Sequence, residues 1–104
     1  MVIEWLEFKV VPEVREKFIQ VDREIWTATL EKFSGFLGKE VWLDPNRVDR
    51  VSLVIRWQTR EQWKSIPQEI LTQTEKEFTE HIGKENYQSV RLIEYQVRKF
   101  IEAN

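Results

Sequence analysis

Apolar and polar residues alternate near the start of the chain. Between Val2 and Val11, Leu6, Phe8 and Val10 fall on one parity, and Glu7 and Lys9 fall on the other. A period of two in a run rich in β-branched and aromatic residues predicts a first strand. Pro12 suits the first turn of a helix, where its missing N–H is no loss. From Glu13 to Phe33 the period lengthens. Val14, Phe18, Val21 and Ile25 recur at helical spacing, with Ile19, Trp26, Leu30 and Phe33 beside them. The stripe is wide, so this helix is covered on more than a narrow edge.

The helical period ends in the run SGFLGKEVW, Ser34 to Trp42. Gly35 follows the last periodic residues, where a helix commonly closes on a glycine in the left-handed region. Gly38 falls inside the next strand, where a missing side chain marks a bulge or a close backbone approach. That second strand continues through Val41, Trp42 and Leu43, and Asp44-Pro45-Asn46 is a turn signal. A third strand is expected from Val51 to Trp57, with Val51, Leu53, Ile55 and Trp57 on one face. Thr59 and Gln62 have capping-box spacing, so a helix starts near Arg60. Pro67 divides it, and a second helix proper runs from Gln68 to Ile82 with Ile70, Leu71, Thr74 and Phe78 inward and Gly83 as its stop. A fourth strand is expected from Ser89 to Val97, before the tail RKFIEAN.

The order is β-α-β-β-α-β, an α+β ferredoxin-like arrangement. Four antiparallel strands carry two helices on one face, in a single domain over residues 1–104. The other face is left bare. Both strand faces keep apolar residues: Ile3 and Trp5 oppose Leu6 and Phe8, and Ile93 and Tyr95 oppose Val90 and Leu92. A bare apolar sheet face marks an interaction surface, and a second copy related by a two-fold axis is the simplest cover. The partner expected from the sequence is therefore the chain itself, as a homodimer.

Composition narrows the chemistry. The formal net charge of −2 draws the chain neither to nucleic acid nor to anionic lipid. The absence of cysteine excludes disulfides, thiol catalysis and cysteine metal sites. The N-terminus carries Glu4 and Glu7 and no basic leader, and no apolar run approaches a membrane span, so a cytoplasmic location is expected. Five Trp and six Phe in 104 residues enlarge a small core. No nucleophile elbow, phosphate loop, dinucleotide fingerprint or calcium loop occurs. The single histidine, His81, sits near a helix C-terminus, where the macrodipole favours it, and cannot anchor a metal site alone. No metal is expected.

The junction GFLGKEVW resembles that of dimeric α/β-barrel proteins, the superfamily of antibiotic-biosynthesis-type monooxygenases. The segment VIRWQTREQWKSIP resembles their third strand passing into the second helix. Taken with EIWTATLEKFSGFLGKEVWLDP and EYQVRKF, nearly the whole chain is similar to a small family found mainly in cyanobacteria, one with no assigned activity. The resemblance implies a homodimer whose two sheets form a joint barrel, with a ligand cavity between helices and sheet. Haem-degrading members of the superfamily use an Asn on the first strand, a Trp near the start of the second helix and a His on that helix. Here Leu6 and Glu7 occupy the strand region and His81 falls about two turns late. Only Trp63 matches, so haem degradation is not expected and no cofactor is assigned.

RNA-recognition domains share the same element order. Their third-strand motif needs a glycine and stacking aromatics where this chain has Val51, Ser52 and Val54, which argues against RNA. The pocket candidates are Asp22, Trp26, Trp42, Arg56 and Trp57. Asp22 and Trp26 stand one helical turn apart on one face. Arg56 is a charge on a central strand, with Glu4, Glu7 and Glu94 as candidate partners. Trp42 and Trp57 come from adjacent strands. No catalytic residue is assigned, and the sequence leaves open whether the protein is an enzyme. The expected function is binding of a hydrophobic or aromatic small molecule, with cofactor-free monooxygenation as the candidate reaction. The alternative is a non-catalytic dimeric module for structural, interaction or stress roles that holds no ligand.

Overall fold

The structure, a computed structural model, describes residues 1–104. In chain order it contains β1 (Val2–Val10), α1 (Arg15–Asp22), a π-helical turn (Arg23–Thr27), α2 (Ala28–Leu30), β2 (Phe36–Asp44), β3 (Arg47–Trp57), α3 (Arg60–Lys64), α4 (Gln68–Ile82) and β4 (Tyr87–Gln96). Short 3₁₀ turns at Pro12–Val14 and Lys84–Asn86 join β1 to α1 and α4 to β4. The strands form one antiparallel sheet in the order β2-β3-β1-β4, which is the ferredoxin-like arrangement.

Register decides which side chains meet the helices. Val2 lies opposite Trp57, Leu6 opposite Leu53 and Phe8 opposite Val51. These inward positions pack against Phe18, Val21 and Ile25 of the first helical segment and Phe78 and Ile82 of α4 at one end, and against Leu30 and Ile66 at the other. Phe18 and Phe78 meet edge to face with centroids 5.2 Å apart. The opposite parity, with Ile3, Trp5 and Glu7 of β1, faces away from the helices. There Trp5 lies 6.2 Å from Tyr95, and the Arg91 guanidinium stacks over Trp5 at 5.1 Å while bonding Glu7. Trp42 and Tyr95 on this outer face are about half exposed, at 49% and 50%.

The glycine-rich junction is a helix stop locked to the cap of a later helix. Gly35 has φ +95° and its carbonyl accepts from the amide of Gln58 at 2.8 Å. Gln62, whose amide donates to the Thr59 hydroxyl at 3.1 Å in the α3 cap, also bonds Ser34 through its side chain at 3.2 Å. A Cβ on Gly35 would fall 2.5–2.7 Å from the Gln62 side chain. The register of β2 against β3 slips between Phe36 and Gly38, so Gly38 sits at a bulge. Pro67 opens α4 and Gly83, at φ +93°, ends it.

Several boundaries differ from the sequence expectation. β3 starts at Arg47, four residues before Val51, because the turn is tight. Asp44 Oδ1 accepts from the Asn46 amide at 2.8 Å, and Asp44 already pairs with Arg47. β4 starts at Tyr87, which pairs with Val10, and not at Ser89. The first helix does not run evenly to Phe33. It widens to π geometry at Arg23–Thr27, where the amide of Ala28 reaches the carbonyl of Arg23, and it ends at Leu30. No helix is long and apolar enough to cross a membrane.

Candidate functional site

A cavity of about 360 Å³ lies between the inner sheet face and the helices. Every strand and every helix contributes to its wall, and 12 of the 17 lining residues are hydrophobic. The helical side of the wall is a row spaced by fours: Phe18, Asp22, Trp26 and Leu30. A strict spacing of four drifts around a regular helix of ~3.6 residues per turn. The wider π turn takes up that drift and keeps the row facing the cavity. π turns are frequent at functional sites.

The polar groups are few and converge on the floor. Across the sheet, Lys39 lies opposite Ile55, which lies opposite Glu4, so the two charges flank one apolar residue on the inner face. The Lys39 ammonium sits 2.6 Å from Oδ2 of Asp22, with the two side chains only 5% and 2% exposed. Oδ1 of Asp22 is buried without a hydrogen-bond partner. Burial pushes the Asp22 carboxyl above its ordinary range, and the nearby Lys39 ammonium only partly opposes this. Asp22 and Lys39 also line a second depression, between the first helical segment and β2.

Glu4 is the second floor carboxylate. The indole N–H of the fully buried Trp57 donates to Oε1 of Glu4 at 3.2 Å. Burial raises the Glu4 pKa. The Trp57 hydrogen bond and the Lys39 and Lys64 charges pull the other way without cancelling it. On the opposite wall, Glu75 of α4 ties three elements together. It accepts from Trp26 Nε1 at 3.2 Å and from the Tyr87 hydroxyl at 2.8 Å. Since Tyr87 spends its proton on Glu75, the Thr79 hydroxyl 2.7 Å away donates to Tyr87. Burial, reinforced by the Glu75 carboxylate, pushes the Tyr87 phenol up to about 12, so it stays a neutral donor.

The sequence candidates divide. Asp22 and Trp26 both line the cavity. Trp57 does not line it, but holds Glu4 from behind. Trp42 and Arg56 lie on the outer face, where both donate to Oε1 of Glu40, at 3.3 and 3.2 Å. Trp42 and Trp57 therefore project from opposite faces and do not meet. The partner of Arg56 is Glu40 and none of Glu4, Glu7 or Glu94. Glu7 pairs with Arg91 and Glu94 with Arg60. Four charged or phenolic wall residues were not among these candidates: Glu4, Lys39, Glu75 and Tyr87. Two carried a signal. Glu4 shares parity with Val2, Leu6 and Phe8, and Lys39 with Val41 and Leu43, so each places a charge on an otherwise apolar inward row. No three His, Asp or Glu side chains converge as a metal site.

Comparison with known proteins places this architecture. Residues 1–66 match the sequence profile of the family described as antibiotic biosynthesis monooxygenase. No curated protein matches the chain by sequence. The solved structure of SnoaB, a cofactor-independent oxygenase from Streptomyces nogalater, superposes with a TM-score of 0.70 at 13% identity, covering 98% of this chain and 97% of that one. A candidate antibiotic biosynthesis monooxygenase from Bacillus cereus superposes at 0.68 with 26% identity, covering 99% and 96%. The haem degrader MhuD of Mycobacterium tuberculosis, solved with two haems in its active site, superposes at 0.70 with 16% identity, covering 98% and 100%.

The cavity residues here do not fit a haem. Axial ligation calls for His, Cys, Met or Tyr. Cysteine is absent, and His81 and Met1 lie outside the cavity. The Tyr87 hydroxyl is committed to Glu75 and Thr79. The profile match spans β1 through α3, more than half of the chain, and the fold agrees along the remainder; the chain belongs to the antibiotic biosynthesis monooxygenase family.

Proposed function

We propose that this protein binds one hydrophobic, aromatic small molecule in the cavity between sheet and helices, and that it acts as a cofactor-free monooxygenase. The observation that carries the reading is the cavity itself. Its volume and mostly apolar wall with a few converging polar groups are those of a small-molecule site. Trp26 and Trp63 offer flat apolar surface to an aromatic ring. The alternative, a module with no ligand, calls for a space filled by its own tryptophans, and here the space is open.

The chain's own residues suit one oxygenation chemistry. Glu4 is a half-buried carboxylate of raised basicity, with one oxygen held by Trp57 and the other free of protein hydrogen bonds. Its proposed role is to take a proton from a methylene flanked by an aryl ring and a carbonyl. The resulting carbanion adds dioxygen at carbon, and Glu4 returns the proton to the new hydroperoxide. Loss of water then leaves a ketone. The sum is R₂CH₂ + O₂ → R₂C=O + H₂O. The substrate supplies all four electrons, one oxygen atom enters it and the other leaves as water.

Two copies related by a two-fold axis would bury the outer face around Trp42 and Tyr95, so the working unit is proposed to be a homodimer. The location is proposed to be cytoplasmic. Native mass spectrometry of protein taken from its host should show a retained aromatic molecule, and aryl methylene ketones should drive one-to-one oxygen uptake. Glu4→Gln should keep binding and lose roughly 100-fold or more of the uptake rate. Binding without uptake for every ketone tried would reduce the reading to ligand storage or sensing.

A further inference from the structure

The helices cover the inner sheet face unevenly. On β3 the inner residues Val51, Leu53, Ile55 and Trp57 are all buried. On β4 the cover stops short. Leu92, opposite Leu6 of the cavity wall, is 62% exposed, and Glu94, opposite Glu4, is exposed as well. The cavity is therefore least covered on its β4 side. The short helix α3 overhangs that side. Its Trp63 lines the cavity, and its Lys64 ammonium lies 4.0 Å over the Trp63 ring.

α3 is also the loosest part of the wall. It is the one α-helix with no buried residue. Its exit is weakly bonded: the amides of Ser65 and Ile66 reach back at 3.3 and 3.5 Å, and Pro67 has no N–H to carry the ladder into α4. A segment with so little burial opens more readily than the whole domain. Two side-chain ties leave it. On the β2 side, Gln62 bonds Ser34 at 3.2 Å. On the β4 side, Arg60 Nε donates to Glu94 Oε2 at 2.7 Å, across the uncovered margin.

We infer that α3 is a gate on the cavity, hinged at Thr59 and at Ser65–Pro67 and latched shut by the Arg60–Glu94 ion pair. This rests on the ligand-binding reading above and adds how a ligand enters. When the latch parts, α3 lifts from β4 and carries Trp63 out of the wall. Both latch side chains are partly exposed, at 56% and 36%, so the pair is weak enough to part often.

The chain has no cysteine, so one introduced thiol reads the opening without any ligand. Leu53→Cys puts it on the cavity wall at a buried position. Its labelling by dithiodipyridine follows the fraction of open molecules when closing outpaces reaction. Adding Glu94→Gln should speed labelling roughly two- to fivefold, the worth of an exposed ion pair. Exchanging the charges, Arg60→Glu with Glu94→Arg, should restore the slow rate. Ile82→Val, in the core away from α3, should lower the urea midpoint and leave labelling unchanged, because that contact survives in the open form. Should Leu53→Cys fail to fold, Ile55→Cys reads the same wall. Labelling indifferent to Glu94→Gln, or not slowed again by the exchange, would overturn the inference and leave the cavity reading intact. Labelling that follows Ile82→Val would also overturn it, since the opening would then be global unfolding. Excess naphthalene should protect the thiol. A thiol left unprotected yet still dependent on the latch would tell against the ligand-binding reading alone and uphold the gate.

Discussion

The ammonium of Lys39 lies 2.6 Å from Oδ2 of Asp22, joining the second strand to the end of the first helix through a mostly apolar wall. Removing one partner of such a pair leaves an uncompensated buried charge. Asp22→Ala should therefore cost about 3–5 kcal/mol in urea unfolding. Replacing both partners by apolar residues, Asp22→Leu with Lys39→Met, should recover most of that loss. A single variant within experimental error of wild type would show that solvent reaches the pair.

The two floor carboxylates also set a pH dependence. Both Glu4 and Asp22 have pKa values raised by burial above their ordinary 4.5 and 3.8. A raised carboxyl binds more protons in the folded chain than in the unfolded one. Stability is lost as pH rises from the ordinary value through the folded one, and is flat beyond it. The urea midpoint of wild-type protein should fall between mild acid and neutrality relative to that of Glu4→Gln, whose amide does not titrate. Parallel curves for the two proteins over roughly pH 4 to 8 would rule out the shift at Glu4.

Gly35 carries the junction between the first helical segment and β2. At φ +95° a Cβ is strained, and it would also press on the side chain of Gln62. Gly35→Ala should cost on the order of 1 kcal/mol or more. Because Gln62 also caps α3, the loss should be shared with Gln62→Ala, and the double variant should cost less than the sum. An unchanged denaturant midpoint in Gly35→Ala would mean that the junction relaxes freely.

The outer face offers Trp42 and Tyr95 half exposed, with Trp5 between flanking strands. Burying several hundred Å² of such surface at ~25 cal/mol per Å² is large beside a net domain stability of ~5–15 kcal/mol. Sedimentation equilibrium should show a dimer at low micromolar concentration, and the melting temperature should rise with protein concentration. High salt should leave the dimer intact. A stable monomer at tens of micromolar would remove the proposed assembly.

The elements were legible because their ends carry local chemistry: the left-handed glycines at Gly35 and Gly83, the Thr59 cap, and the proline at Pro67. Strand faces were legible from alternation. The spacing of Asp22 and Trp26 brought two wall residues together on one helix face. The remaining candidates went astray because a tryptophan or arginine on a strand belongs to whichever face the register assigns it. Parity puts Arg56 and Trp42 outside, and Trp57 inside but behind Glu4. Parity could also have singled out Glu4 and Lys39. The π turn and the Glu75 contacts with Trp26 and Tyr87 could not be read this way. They arise from the packing of α4 against the first helix and the edge of β4, which no local pattern encodes.

The five tryptophans make the central claim directly measurable, since each indole N–H reports one location. Trp26 and Trp63 line the cavity, Trp57 touches it through Glu4, and Trp5 and Trp42 stand on the outer face. In a nitrogen–proton correlation spectrum recorded during titration with 2-naphthol, the indole signals of Trp26, Trp63 and Trp57 should move and saturate together, while those of Trp5 and Trp42 stay in place. Movement confined to Trp5 and Trp42, or no movement at all with ligand in excess, would show that the cavity is not a binding site.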